Sequence, residues 1–199
     1  MFRQFAVMSN YRRIRVEGGT YFFTVTLADR NSDLLVRRID LLRRAWAATH
    51  RDMPFHTNAV VILPDHLHAV WTLPAGDADF SERWRRIKGR FSRMLAADER
   101  RSASKREKGE KGVWQRRFWE HVIRDEDDFA RCNRYCWYNP VKHELVERPA
   151  EWAFSSLHRD VRRGEVDPDW IVGDEPGLFG ERFELPVGWV ATHRQAAVG

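Results

Sequence analysis

Two histidines separated by one residue, His66 and His68, have the types and spacing most suggestive of chemistry in this chain of 199 residues. They lie in a segment that reads as a β-strand, and alternate side chains of a strand point to the same face. The two imidazoles would project together and form half of a site for a divalent metal ion. A strand with two exposed histidines explains the same pattern, so the motif needs further ligands before it predicts a metal site.

A phosphoryl-transfer site needs a nucleophile, a metal ion and the ligands that hold it. Tyr135 and Asn139 could supply the nucleophile and the ligand that the two histidines lack. Residues four apart share one face of a helix, which would bring the tyrosine hydroxyl and the amide oxygen together. Asn139 would be a third ligand beside the two imidazoles. Tyr135 would attack phosphorus and leave a phosphotyrosine ester and a free hydroxyl on the other DNA end. Tyr138 is the alternative nucleophile, and Tyr11 and Tyr21 are weaker candidates.

Four strands are predicted to carry these residues. Residues 20–27 are rich in β-branched and aromatic types and apolar on both faces, which is typical of a central strand. Residues 58–63 form a second strand, joined to the histidine strand by Pro64-Asp65 as a hairpin. The aromatic content of residues 113–124 predicts another strand.

Three helices are predicted from apolar residues spaced three and four apart. The first spans residues 32–52, and the second begins after Asp79 and ends near residue 94. The third runs from residue 125 to about residue 138, because Pro140 disfavours helical backbone at the residue before it. Asn139 would then lie at the end of this helix.

The order strand, helix, strand, strand, helix, strand predicts an α+β fold, a ferredoxin-like (split βαβ) antiparallel sheet with helices on one face. The other face would be open for a ligand. We expect one domain at residues 11–160, an N-terminal extension at 1–10, a mobile basic loop at 98–112 and a C-terminal tail at 161–199. Met8 is an alternative start.

The balance of charge favours a polyanionic partner. The chain has 34 Lys+Arg against 29 Asp+Glu, a formal net charge of +5. On the second predicted helix, arginines form a row that is either a solvated helix face or a phosphate contact. The predicted DNA-binding residues are Arg12, Arg13, Arg83, Arg86, Arg90, Arg93, Arg116 and Arg117.

The remaining composition predicts an intracellular protein. Apolar runs fall short of the roughly 20 residues that span a bilayer. Cys132 and Cys136 are four apart, which matches neither a disulfide framework nor a zinc ribbon. We therefore expect a protein of the cytoplasm, associated with the nucleoid, and present as a monomer or a homodimer.

Three motifs together resemble one family: PDHLH at 64–68, WQRRFWEH at 114–121 and YCWYNPVKH at 135–143. They are similar to the REP-associated tyrosine transposases, a branch of the single-tyrosine HUH transposases, over residues from about 11 to 159. Two features depart from the family pattern: His143 is followed by Glu144 instead of glycine, and the loop at 98–112 is longer than usual.

This resemblance implies the HUH endonuclease architecture and a metal-dependent endonuclease and strand transferase. The enzyme would act on single-stranded or hairpin DNA, namely repetitive extragenic palindromes. His66, His68 and Asn139 would bind Mg²⁺ or Mn²⁺, and Tyr135 would be the nucleophile.

Two other functions compete with this interpretation. A ferredoxin-like sheet with aromatic residues is also typical of a non-catalytic module that binds single-stranded nucleic acid. A hydrolytic zinc enzyme is disfavoured, because the histidines lack the adjacent glutamate of the common zinc motif. His121 and His143 are possible further ligands, although packing or phosphate contact suits each of them better. Some of the nine tryptophans are candidates for base stacking.

Overall fold

The protein is built around a four-stranded antiparallel sheet, whose spatial order is second, third, first and fourth strand along the chain. The structure is a computed structural model that describes residues 13–96, 112–167 and 170. The strands are β1 (Thr20–Thr26), β2 (His56–Ile62), β3 (His66–Thr72) and β4 (Trp119–Val122). The predicted α+β class is confirmed. The predicted extension at 1–10, nearly all of the loop at 98–112, most of the tail at 161–199, and Arg12 lie outside the described residues.

The two faces of the sheet carry different side chains, because strand residues alternate in direction. Phe23 of β1 and its partner Ala69 of β3 belong to one buried cluster, on what we call the helix-pair face. Thr24 and its partner His68 point to the opposite side, which we call the histidine face. β1 is central and buried, as its apolar residues predict.

Two helices cover the helix-pair face and pack against each other. The helices described before β4 are α1 (Leu34–Arg37), α2 (Ile39–Asp52) and α3 (Phe80–Met94). Trp84 of α3 stacks on Trp71 of β3 with ring centroids 4.1 Å apart. Such an aromatic pair contributes about 0.5–1.5 kcal/mol beyond its buried area. The Asp79 side chain accepts a hydrogen bond from the backbone N–H of Glu82 and so begins α3 as predicted.

The structure corrects one detail of the predicted fold, since helices lie on both faces of the sheet. A longer helix, α4 (Glu126–Lys142), packs on the histidine face against β2 and β3. Its Tyr135 and Cys136 join a second buried cluster with Phe22 and Val70 of the sheet. Those two sheet residues are apolar, so their burial requires an element on this side. The periodicity of α4 reveals a helix without revealing which face it covers.

Pro140 does not end α4, which continues to Lys142 instead of stopping near residue 138. Proline removes one backbone donor from a helix and its ring crowds the carbonyl four residues earlier, but the residues after it keep their donors. The backbone N–H of His143 donates to the Asn139 carbonyl at 3.0 Å, which closes the last turn. Asn139 is buried and lies in the last turn of the helix, which extends three residues beyond it.

The predicted strand over residues 113–124 is shorter in the structure. The β4 ladder is confined to Trp119–Val122, and Trp114 makes an isolated bridge with Leu27. Trp114 and Phe118 pack into the cluster on the helix-pair face. Aromatic residues can therefore fill a core next to a strand without extending its ladder.

The segment after α4 covers the outer edge of β2. The chain forms a 3-10 turn at Pro149–Glu151 and then α5 (Leu157–Arg162). Ser155 forms an antiparallel bridge with Val61, and Trp152 donates its indole N–H to the Ile62 carbonyl at 2.9 Å. Covering an edge strand removes a template for unwanted strand pairing. Among the described helices, none is both long and apolar enough to span a bilayer.

Candidate active site

The two histidines of β3 are buried together on the histidine face. Their ring centroids lie 5.0 Å apart, with the ring planes at 85°. Leu67 between them points into the cluster on the opposite face, which anchors the strand. The alternation of β3 therefore brings both imidazoles to one place, as the His66-Leu67-His68 spacing predicts.

Each imidazole is oriented through its Nδ1 atom. His66 Nδ1 lies 2.7 Å from Asp65 Oδ1, and Arg30 Nε lies 2.9 Å from Asp65 Oδ2. His68 Nδ1 lies 3.0 Å from the hydroxyl of Thr24. Partners of this kind hold a metal-binding histidine by one nitrogen and present the other. Nε2 is therefore the nitrogen that each ring presents to the site.

Tyr135 of α4 packs directly against these histidines. Its ring centroid lies 5.2 Å from that of His68 and 5.6 Å from that of Phe22. Lys142, two helical turns later, donates from Nζ to the Tyr135 hydroxyl at 3.1 Å. The same Nζ lies 4.8 Å from the centre of the tyrosine ring. The phenol is thus held between an imidazole and a cation.

Asn139, one turn after Tyr135, contributes a buried amide to the same side of α4. Within the described parts of the chain, its amide atoms and Nε2 of His68 make no hydrogen bond of normal geometry, although the amide lies close enough to His68 to raise the pKa of that imidazole slightly. A buried polar group left in this state costs about 1–3 kcal/mol. Two imidazole nitrogens and an amide oxygen are ligands that a divalent cation accepts. The residues present therefore fit a metal ion.

Two imidazoles of this site, those of His68 and His143, have lowered pKa values. Burial lowers the pKa of His68 well below its ordinary value, and His66, His143 and Lys142 lower it further. His143 packs on His66 with ring centroids 5.0 Å apart. Burial, His66 and Lys142 lower the pKa of His143 to about 3. A neutral imidazole is the form that binds metal ions.

Several supporting residues escaped the sequence reasoning. Asp65 adjoins His66, and Lys142 follows Tyr135 at a spacing of two helical turns, so both could have been found from spacing. Thr24 could not, because its pairing with His68 depends on the strand register.

Arg83 has an internal structural role. Its side chain is 1% exposed and pairs with Asp77 at 2.7 Å. It also donates to the backbone carbonyls of Met53, Pro54 and Asp79. Arg83 thus ties the start of α3 to the segment before β2, and we leave it out of the proposed DNA contacts.

The rest of the arginine row lies on α3, which covers the helix-pair face, across the sheet from Tyr135. Carboxylates also balance two arginines of the row. Arg86 pairs with Glu82 at 2.8 Å, and Arg90 pairs with Asp52. These residues do not form one surface with the histidines.

The other predicted DNA contacts divide into two groups. Arg13 is held by Glu120 at 3.3 Å and by the ring of Phe118, whose centre lies 4.1 Å from the guanidinium carbon. Arg116 and Arg117 are exposed in the segment that leads into β4. They remain available to a ligand approaching that edge of the sheet.

A second group of potential metal ligands joins β4 to α4. Ligand atoms of His121, Asp128 and Cys132 lie within 4.8 Å of one another. The Asp128 carboxylate already accepts from His121 Nε2 at 2.8 Å and from Arg124 and Arg131 at 3.3 Å. Burial and Asp128 raise the pKa of the Cys132 thiol to about 12. Because the carboxylate is already paired and the thiol is protonated, this group is better explained as a structural ion-pair network than as a metal site.

Known proteins resemble the chain over most of its length. No family model matches it. A REP-associated tyrosine transposase of Escherichia coli (strain K12) is 47% identical over 176 residues, covering 88% of this chain and 99% of the relative. A Haemophilus influenzae protein described under the same family name is 45% identical over 172 residues, covering 86% and 97%.

A solved structure of such a transposase, bound to a REP hairpin, matches the fold with a TM-score of 0.76 and 45% sequence identity. The match covers 89% of this chain and 99% of that chain. Together with the sequence relatives, it establishes that this chain belongs to the REP-associated tyrosine transposases and is an enzyme of that family.

Proposed function

We propose that this enzyme cuts and rejoins single-stranded DNA at hairpin-forming palindromic repeats, through a covalent phosphotyrosine on Tyr135. The observation that carries the proposal is the contact between two rigid elements. The Tyr135 ring of α4 lies against His68 of β3, and Asn139 follows on the same side of the helix. The relative of known structure that binds a REP hairpin supports the choice of DNA.

The metal-binding residues in this proposal are His66, His68 and Asn139. Their buried donor atoms suit a divalent cation. The family resemblance implies Mg²⁺ or Mn²⁺, and we expect one of these ions to be required for cleavage. A divalent cation held there would supply Lewis acidity at the scissile phosphate and neutralise its developing charge.

The protein residues carry the nucleophilic step. The Tyr135 hydroxyl oxygen forms a bond to phosphorus while the bond from phosphorus to one DNA oxygen breaks. The phenolic proton is lost to solvent, and the departing oxygen gains a proton and becomes a free hydroxyl. Lys142 orients the nucleophile and places a positive charge beside its oxygen. The phosphotyrosine ester conserves the energy of the phosphodiester bond that was broken. A DNA hydroxyl can therefore attack the ester and rejoin strands without ATP.

Tyr135 is preferred to Tyr138 because it makes the ring contact with His68 and accepts the hydrogen bond from Lys142. The two tyrosines provide a matched pair of variants, Tyr135→Phe and Tyr138→Phe. Each would be incubated with Mn²⁺ and a labelled hairpin oligonucleotide that has single-stranded flanks. The covalent protein–DNA adduct is then resolved on a denaturing gel.

We expect Tyr135→Phe to abolish the adduct and Tyr138→Phe to retain it. An adduct formed by Tyr135→Phe would contradict the assignment of the nucleophile. Binding of the hairpin by the wild-type protein with no cleavage under any divalent metal would contradict the proposed metal-dependent chemistry.

A further inference from the structure

An exposed tryptophan lies in the same cross-strand row as His68 of the candidate active site. Trp119 of β4 pairs with Thr24 of β1, and Thr24 pairs with His68 of β3. Directly paired residues point to the same face, so Trp119 lies on the histidine face. Neighbouring strands are about 4.8 Å apart, which places the Cα of Trp119 roughly 10 Å from that of His68.

The position of the Trp119 ring is supported by packing. Phe22 contacts Trp119, His68 and Tyr135 with ring centroids 5.7, 5.4 and 5.6 Å away. His121 lies parallel to Trp119, with the ring planes at 5° and the centroids 6.0 Å apart. Phe22 thereby links the position of the indole to that of the proposed nucleophile.

The exposure of this ring is unusual among the described aromatic residues. Trp119 is 38% exposed, whereas Trp71 and Trp84 are fully buried. The other large hydrophobic side chains with comparable exposure in the described ranges are aliphatic or methionine: Ile14, Val16 and Met94. A partly exposed indole on the face that carries the site offers an apolar surface to a planar ligand.

Basic residues that flank Trp119 in the chain suit a ligand that carries phosphates. Arg116 and Arg117 are exposed just before it in the chain. Arg124, which follows β4, is 68% exposed although it also pairs with Asp128. Single-stranded nucleic acid is bound by this combination of basic groups along the backbone and an aromatic platform for the bases.

We propose that Trp119 is a base-binding subsite, on which an unpaired nucleobase close to the scissile phosphate stacks. This inference rests on the proposed function, because that function places the single-stranded DNA beside Tyr135 on the histidine face. Stacking tolerates any base, since every base has a π face. The subsite thus selects an unpaired nucleotide at one position, and it fixes the path of the strand toward β4.

The subsite can be tested by coupling a change in the protein to a change in the DNA. Hairpin oligonucleotides based on palindromes flanking the protein's own gene would carry one abasic site at a time along each single-stranded flank. Binding is measured with Mn²⁺ in a Tyr135→Phe background, so that the DNA stays intact. Trp119→Leu keeps an apolar contact with Phe22 but removes the π face, and Trp119→Phe retains a smaller one.

We expect one abasic position to weaken binding about 5- to 150-fold when Trp119 is present, the range for loss of one stacked base. In Trp119→Leu, intact DNA should bind as weakly as that abasic DNA, and the abasic site should have no further effect. In Trp119→Phe, the abasic site should again weaken binding, by most of the factor seen with Trp119. Such coupling isolates the contact between the base and the indole.

An abasic penalty that is unchanged in Trp119→Leu at every position would overturn the subsite. So would an equal loss of affinity for a hairpin stem without single-stranded flanks, because the defect would then be general. The proposed function is judged separately, by the covalent adduct of the protein with native Tyr135. Adduct formation without coupling refutes the subsite alone, whereas coupling without any adduct refutes the phosphotyrosine chemistry.

Discussion

Replacing Arg83 with methionine should destabilise the protein, because this arginine is an internal tether and not a DNA contact. The guanidinium donates five hydrogen bonds, two of them to the Asp77 carboxylate and the others to backbone carbonyls. Removing one partner of a buried ion pair costs about 3–5 kcal/mol. The Asp77 side chain is 30% exposed and can be rehydrated, so we expect about 3 kcal/mol, the lower end of that range.

The matched control is Arg85→Met, two residues along the same helix. The Arg85 side chain is 73% exposed and pairs with Glu82 on the surface. Surface ion pairs contribute about 0–1 kcal/mol, so this variant should remain close to the wild type. The free energy of unfolding would be measured for all three proteins by urea denaturation at pH 7. For a chain of this size, a loss of 3 kcal/mol lowers Tm by about 6–12 °C.

The pH dependence of the same experiment gives a second readout. The hydrogen bond from Arg83 lowers the pKa of Asp77 from its ordinary value of 3.8. A lowered carboxylate pKa contributes stability above the unfolded value, and this contribution is lost as the pH falls through the folded value. The stability difference between the wild type and Arg83→Met should therefore shrink below about pH 4. Equal losses in Arg83→Met and Arg85→Met at pH 7 would refute the reasoning.

Three further outcomes are expected from the site and its surroundings. Lys142→Gln should slow single-turnover adduct formation about 10- to 150-fold, because a charged hydrogen bond to Tyr135 is lost, and Lys142→Arg should recover part of the rate. Equal rates in both variants would contradict a role for the charge. Asp65→Asn should weaken Mn²⁺ binding about 10- to 100-fold by releasing His66, as titration calorimetry would measure, and unchanged affinity would exclude this orienting role. The buried Cys132 thiol, whose pKa is raised to about 12, should resist thiol reagents at pH 8 until the protein is denatured; rapid labelling of the native protein would contradict its burial.

Much of the fold was accessible from local patterns. β1 at Thr20–Thr26 and α3 at Phe80–Met94 lie within a residue or so of the predicted ranges. Both depend on signals that act over a few residues: β-branched and aromatic types in the strand, and a capping aspartate before an apolar stripe in the helix. Elements of this kind are specified by their own sequence.

The errors arose where distant contacts outweigh local rules. Pro140 predicts the end of a helix, yet α4 continues past it while packing on β2. The periodicity around Arg83 indicates a basic helix face, but its partners come from segments that the helical pattern does not contain. An arginine becomes internal when the fold supplies a carboxylate and carbonyls at the right distance.

In the candidate site, too, local spacing was predictable from the sequence, whereas the contact between distant segments was not. The spacing of His66 and His68 indicated that they share a face, and the spacing of Tyr135 and Asn139 did so for the helix. The contact between strand and helix had to be assumed, because it depends on which face of the sheet α4 covers. The 5.2 Å separation of the His68 and Tyr135 rings supplies that missing relation.

The continuity of α4 through Pro140 has a mechanical consequence. Tyr135, Asn139 and Lys142 are carried by a single rod, while the imidazoles are carried by the sheet. A shift of this helix would move the proposed nucleophile, the amide and the ammonium as one body and leave their mutual spacing intact. The proposed site is therefore assembled or dismantled by one displacement, so a ligand that separates α4 from β3 should abolish both the proposed metal binding and the proposed attack.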